Sequence, residues 1–283
     1  MKHPKIPIIL LAAAMSASTL VVADDDDDDE VPFEEARLFF ELNDTDGDLG
    51  IHGKIDGDEW KRLEIEDPNE RRMLNVNVRG RLKRQGLTEL FFESAEPTFD
   101  ELDPEQFFKR FPEGWYEIEG LTLDYEERES EVYLSHIIPA APAGVMVNGV
   151  EAAEDCDAED LPEVTTPVTL TWEPVTTAHE DLGRDTGSNL MGQGISVIYY
   201  EVVVEIDESD FKSTAKVPAY INSFVLPTGI TDLISETEDG EGEFKFEILV
   251  RTDNGQTEDD DGEPIDPNPG NKSAVENCFV VIN

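Results

Sequence analysis

From Phe244 to Val250 the chain reads FKFEILV. Phe244, Phe246, Ile248 and Val250 fall on one side of an extended strand, and Lys245, Glu247 and Arg251 on the other. Tyr200, Val202, Val204 and Ile206 do the same, with Glu201 and Glu205 facing out. A strict period of two cannot be buried by a helix. It fits a strand with one wet face, so these runs commit the chain to antiparallel sheets packed on one another. Weaker alternation continues through Trp60–Ile65, Met73–Val78, Leu87–Glu93 and Tyr116–Leu123, while Arg37–Leu42 reads as a strand or as the end of a short helix. Asp-Gly, Asp-Pro-Asn and Gln-Gly turn signals separate these segments. The expected fold class is all-β: two β-sandwich domains in series, spanning 31–137 and 138–283. The segment Ile138-Pro139-Ala140-Ala141-Pro142 marks the junction. One short helix is expected near 103–111, because Asp103 can cap it, Pro104 suits its first position, and Pro112-Glu113-Gly114 ends it.

The strands after the junction carry a resemblance. Val168–Val175 (VTLTWEPV), Tyr200–Ile206 (YEVVVEI), Ser223–Pro227 (SFVLP) and Phe244–Thr257 follow a proline-rich entry, Pro139–Pro142. This half resembles a fibronectin type III domain, with Trp172 on the second strand and Tyr200 on the third matching the family's core positions. The sixth strand carries Phe244 and Phe246 where the family has tyrosine, so the resemblance does not extend to a tyrosine corner. The insert from Asn148 to Thr166 and the acidic loop from Asp253 to Lys272 are also departures. The resemblance implies a module that binds, spaces or decorates, and it names no partner. The first half resembles no family we can name. The whole arrangement is similar to exported bacterial proteins of unassigned role.

The first thirty residues read as an export signal. Lys2 and Lys5 precede an apolar run from Ile8 to Val22, and small residues end it at Ala23. Residues 1–23 are the expected signal peptide, and Asp24–Glu30 the expected disordered acidic spacer. A secreted or periplasmic location follows, with no membrane attachment after cleavage. Export makes the two cysteines, Cys156 and Cys278, an expected disulfide.

Charge excludes some partners. The chain carries 66 acidic and 21 basic residues, a net charge of −45. Nucleic acid and anionic membrane both need a basic footprint, so neither is an expected partner. The partner is left as an unknown protein or glycan.

Within this acidity, Asn43–Gly50 (NDTDGDLG) stands out by its spacing. Asp44, Asp46 and Asp48 occupy the first, third and fifth places of a calcium loop, but Leu49 and Ile55 fall where an EF-hand needs Gly and Glu. The expectation is a weak calcium site between strands, with Asp56, Asp58 or Glu59 added from the next turn, around Gly57. Calcium is the only cofactor expected. Glu258–Glu263 with Asp266 reads as a mobile acidic loop. His52, His136 and His179 form no HxH or HExxH pair, and no nucleophile or phosphate-binding motif is present. An enzyme is not expected. The function expected is an exported non-enzymatic binding, adhesion or structural module, possible support coming from calcium. The alternative is a carbohydrate-binding accessory module using Trp60, Trp115 or Tyr116, and a secreted hydrolase comes third.

Overall fold

The computed structural model describes residues 31–156, 158, 161–182, 195–206, 211–233, 241–253 and 269–282. The expected signal peptide, the acidic spacer and the Glu258–Asp266 segment lie outside them. The N-terminal half contains β1 (Glu35–Asn43), β2 (Asp48–Glu66), β3 (Arg72–Asn77), β4 (Leu87–Glu93), α1 (Pro104–Arg110), β5 (Gly114–Thr122) and β6 (Glu127–Leu134). The C-terminal half contains β7 (Met146–Val147), β8 (Val150–Glu151), β9 (Glu163–Val164), β10 (Thr169–Thr171), β11 (Val197–Ile206), β12 (Lys212–Pro218), β13 (Ser223–Val225), α2 (Thr228–Thr231), β14 (Glu241–Asp253) and β15 (Pro269–Ile282).

The C-terminal half is a sandwich. A four-stranded sheet ordered β13-β10-β7-β8 faces the strands β12-β11-β14-β15. The alternating residues read from sequence fill the space between: Tyr200, Val202, Val204, Phe244, Phe246, Ile248, Phe279 and Trp172 are all buried. Trp172 and Tyr200 meet edge to face at 5.3 Å, and the Tyr200 hydroxyl accepts a hydrogen bond from the Val175 amide at 2.9 Å.

The N-terminal half is organised by β2. Where a turn was expected around Gly57, β2 runs on as one 19-residue strand. Register shifts at Asp56/Trp60 and Trp60/Arg62 bend it without ending it. Its first part pairs with β1 and β4, and its second with β5 and β3. The sheet therefore folds over its own core, which holds Phe40, Trp60, Ile65, Tyr116 and Ile118. Gly57, expected in a turn, and Gly53 serve another purpose. A Cβ on Gly53 would lie 2.3 Å from the Phe92 ring, and one on Gly57 would lie 3.3 Å from Phe33. Glycine inside a strand here marks close approach of a neighbour. Helix α1 forms where expected: Asp103 caps it by accepting from the Glu105 amide at 2.9 Å. Phe107 and Phe108 each pack 5.5 Å from Phe40.

The two halves share a sheet. β15 pairs in parallel with β1, Glu41 opposite Lys272 and Asn43 opposite Ala274, giving the continuous order β12-β11-β14-β15-β1-β2-β5-β6. On the core side of this seam lies Asn271, only 2% exposed. Its Oδ1 accepts from the Phe40 amide at 2.8 Å, and its Nδ2 donates to the Ser135 and Ile137 carbonyls at 2.8 Å each. Ser273 Oγ donates to the Pro139 carbonyl at 2.6 Å. On the other side the Arg251 guanidinium lies 3.8 Å over the Phe39 ring. Lys272 pairs with Glu41 at 2.8 Å. The segment expected as the junction is thus held in the seam, and Ile138 is fully buried in the N-terminal core.

Candidate functional site

The acidic turn joins β1 to β2. Gly47 adopts φ 64°, and its amide donates to the Asn43 carbonyl at 2.9 Å. The Asn43 side chain accepts from the Thr45 amide at 3.2 Å and donates to Asp46 at 3.0 Å. Asp44 points to the other half, where its Oδ1 lies 3.2 Å from His179 Nε2. Asp48 is held differently. Its Oδ1 is buried without a hydrogen-bond partner. Burial, and then the charges of Glu96, Asp46, Glu276 and Glu41, push its carboxyl up to about 6.

The other expected calcium ligands are elsewhere. Asp56 lies within β2, opposite Glu35 on one side and Glu89 on the other. Asp58 accepts from Arg128 at 2.6 Å, and Glu59 packs beside Gly86. Eight residues of strand separate Asp48 from Asp56, roughly 26 Å of chain. The expected set therefore divides into two places, because β2 continues where a returning turn had been expected. Among the described residues, no three Asp, Glu, His or Cys side chains are grouped as a metal ion requires.

The aromatic candidates for sugar stacking are also displaced. Trp60 and Tyr116 are fully buried, and the Tyr116 hydroxyl donates to the Pro112 carbonyl at 2.9 Å. Trp115 is half-buried, edge-on to Tyr133 at 5.3 Å. The exposed aromatics are instead Phe91, Tyr125 and Tyr220. They follow no spacing that the sequence would flag.

The histidines do not converge. His52 is buried, with Nε2 3.0 Å from Glu96 and 3.7 Å from Glu41. His136 Nε2 lies 2.8 Å from the Phe111 carbonyl. His179 stays with Asp44. The cysteines do converge: Cys156 and Cys278 form a disulfide with Cα atoms 5.4 Å apart, across a sequence separation of 122. It fastens the insert after β8 to β15, where Ala153 and Cys278 already exchange backbone hydrogen bonds.

Sequence reasoning missed the seam residues Asn271, Ser273 and Arg251. Arg251 is 3% exposed, and burial lowers its guanidinium to about 10. Asn271 fell within the expected loop from Asp253 to Lys272 and Ser273 just beyond it, in the polar run PGNKSAVEN, so no apolar alternation marked the start of β15. A cleft of about 450 Å³ adjoins the seam, between the β1–β2 turn and the C-terminal sandwich.

No protein-family model matches the chain, and no curated protein matches it. Solved structures give loose overlaps. The FN1–FN3 domains of chicken CNTN1 cover 90% of this chain and 69% of their own length, at 9% identity and a TM-score of 0.29. A two-domain fibronectin type III segment of chicken tenascin covers 87% and 97%, at 8% identity and a TM-score of 0.26. A cytokine receptor complex covers 87% and 95%, at 10% identity and a TM-score of 0.24. Overlaps this loose carry no statement about function or about the placing of the two halves. The C-terminal half is a sandwich with β13, β10, β7 and β8 on one face, β12, β11, β14 and β15 on the other, and Trp172 against Tyr200 between them. The described residues are mostly β-strand, and the C-terminal half is a two-sheet sandwich consistent with the fibronectin type III resemblance of its sequence.

Proposed function

We propose that this chain is an exported, non-enzymatic binding or structural module whose two halves act as one rigid body. The observation that carries the reading is the seam. A flexible pair of modules would be joined by solvated chain with few contacts. Here a parallel strand pair, a buried asparagine with three hydrogen bonds and a guanidinium stacked on Phe39 cross the boundary. A rigid, strongly acidic body suits a spacer or an adhesive surface, and the charge favours basic or cationic partners. The carbohydrate alternative loses support because Trp60 and Tyr116 are spent on the core. Export is supported by the sequence of residues 1–23 and by the disulfide.

The test is to express the full chain with its own leader in an exporting host. The expected product is an extracytoplasmic protein beginning at Asp24, with Cys156 linked to Cys278 and no turnover across a panel of glycoside and ester substrates. Cytoplasmic retention with two free thiols would refute the export. Turnover abolished by replacing a carboxylate pair would refute the non-enzymatic reading.

A further inference from the structure

On a chain of net charge −45, one surface loop is strongly basic. The segment Arg79-Gly80-Arg81-Leu82-Lys83-Arg84 lies between β3 and β4, and no Asp or Glu occurs from Arg71 to Thr88. Gly80 at φ 65° and Gly86 at φ 76° turn the chain out and back, and a Cβ on Gly80 would meet nothing within 4 Å. Arg79, Arg81, Lys83 and Arg84 are all exposed. The basic residues just before them are engaged elsewhere: Arg71 pairs with Asp67, and Arg72 with Glu64. Among the described residues, no carboxylate pairs with the four cations of the loop. Like charges this close in sequence repel, and an anion laid across them relieves that repulsion.

The kind of anion follows from the surroundings. An extended polyanion, such as nucleic acid or an anionic membrane, would also meet the acidic rest of the body within a Debye length of roughly 8–10 Å. A short acidic segment covers the loop alone, and arginine forks match its carboxylates. The chain carries such a segment in Asp24–Glu30, seven consecutive carboxylates. The run ends one residue before Val31. From Val31 a row of paired residues crosses the sheet through Arg128, Gly120 and Leu63 to Val76, three positions before Arg79. Those four strand spacings amount to roughly 19 Å. Seven extended residues span about 23–25 Å. The run is therefore long enough to reach the loop of its own chain. The tether keeps it there at an effective concentration on the order of millimolar.

We propose that the loop Arg79–Arg84 is the docking site of the acidic run Asp24–Glu30 of the same chain. The contact is made by charge and by the arginine forks, so it weakens with salt. It is independent of export and of the rigid seam, since either could fail while the run still docks.

The experiment is NMR on the disulfide-bonded chain, as wild type and with Asp24→Asn, Asp25→Asn, Asp26→Asn, Asp27→Asn, Asp28→Asn and Asp29→Asn combined. Amide shifts at residues 79–86 are expected to differ between the two at about 0.05 M salt, and the difference to vanish by about 0.5 M. A reciprocal variant, Arg79→Gln/Arg81→Gln/Lys83→Gln/Arg84→Gln, changes only exposed side chains. It should shift the amides of residues 24–30. The free peptide DDDDDDE should saturate the loop signals of the Asn variant, and the wild type should need about fivefold more of it. All wild-type shifts should be independent of protein concentration. Shifts that grow with concentration would assign the run to a second copy and overturn the proposal. Loop signals identical in wild type and Asn variant would overturn it, and so would a difference that salt leaves unchanged. Equal differences at the exposed Lys212 and Lys216 would report only the general field of the run, and would overturn it as well.

Discussion

The two halves bury similar kinds of residues in opposite ways. In the C-terminal half β11 and β14 hold one register from Tyr199–Arg251 to Ile206–Phe244 and give alternate side chains to one core, so Tyr200–Ile206 and Phe244–Val250 display their faces in the sequence. In the N-terminal half one strand, β2, serves four partners and shifts register at three of its steps. The C-terminal half owes its order to periodicity, and the N-terminal half to a few close contacts between glycines and rings. Where they meet, neither device operates: the seam is fixed by polar groups with no freedom to choose other partners. A bulge or a buried amide specifies a fold as firmly as alternation does, but leaves little periodic trace.

The sharpest way to break this comparison is at Asn271. Asn271→Leu leaves the Phe40 amide and the Ser135 and Ile137 carbonyls buried without partners. Each orphan costs about 1–3 kcal/mol, so a loss of at least about 3 kcal/mol is expected, read by denaturant unfolding. A loss under about 1 kcal/mol would show that the seam matters little. The disulfide comes next. Cys156→Ser/Cys278→Ser should cost about 2–4 kcal/mol, which differential scanning calorimetry would report as a lower Tm. Because the bridge fastens the insert rather than β1, it should leave the Phe40 amide protected from exchange.

How much of this was legible differs by element for physical reasons. Helix α1 was visible because its capping and stop signals are local to Asp103, Pro104 and Pro112. Strand β4 begins and ends at Leu87 and Glu93, as its alternation indicates. The cysteine pairing followed from there being only two. The course of β2 was not legible, since Gly53 and Gly57 look the same whether they turn the chain or admit a ring. For that same reason the expected calcium ligands fall in two places, with Asp56 and Asp58 carried away along the strand. The seam joins residues 231 positions apart, Phe40 and Asn271, and no local pattern reports a contact at that range.

Asp48 offers a smaller test inside the N-terminal half. Its carboxyl is raised to about 6 from 3.8, so the folded state holds the proton more tightly than the unfolded chain does. The associated stability is fully present below about pH 4 and is lost as pH rises through about 6. Partial solvent exposure reduces the effect to about 1 kcal/mol. Asp48→Asn should therefore stabilise the protein near pH 7 and flatten its stability between pH 4 and pH 7. A parallel pH profile in wild type and variant would count against this environment for Asp48. The smallest effect concerns calcium. At matched ionic strength, calcium and magnesium should shift Tm equally in wild type and in Asp46→Asn/Asp48→Asn, because the expected ligands are split between two places. A calcium-specific rise in wild type alone would restore the calcium site.

The account stands or falls on the seam holding the halves as one body. The direct measurement is the distance distribution between spin labels placed by non-cysteine chemistry at Leu82 and Tyr220, both exposed and on opposite halves. One narrow distance is predicted for the wild type, broadening in Asn271→Leu. A broad or bimodal distribution in the wild type would mean that the halves move independently, and would contradict the account.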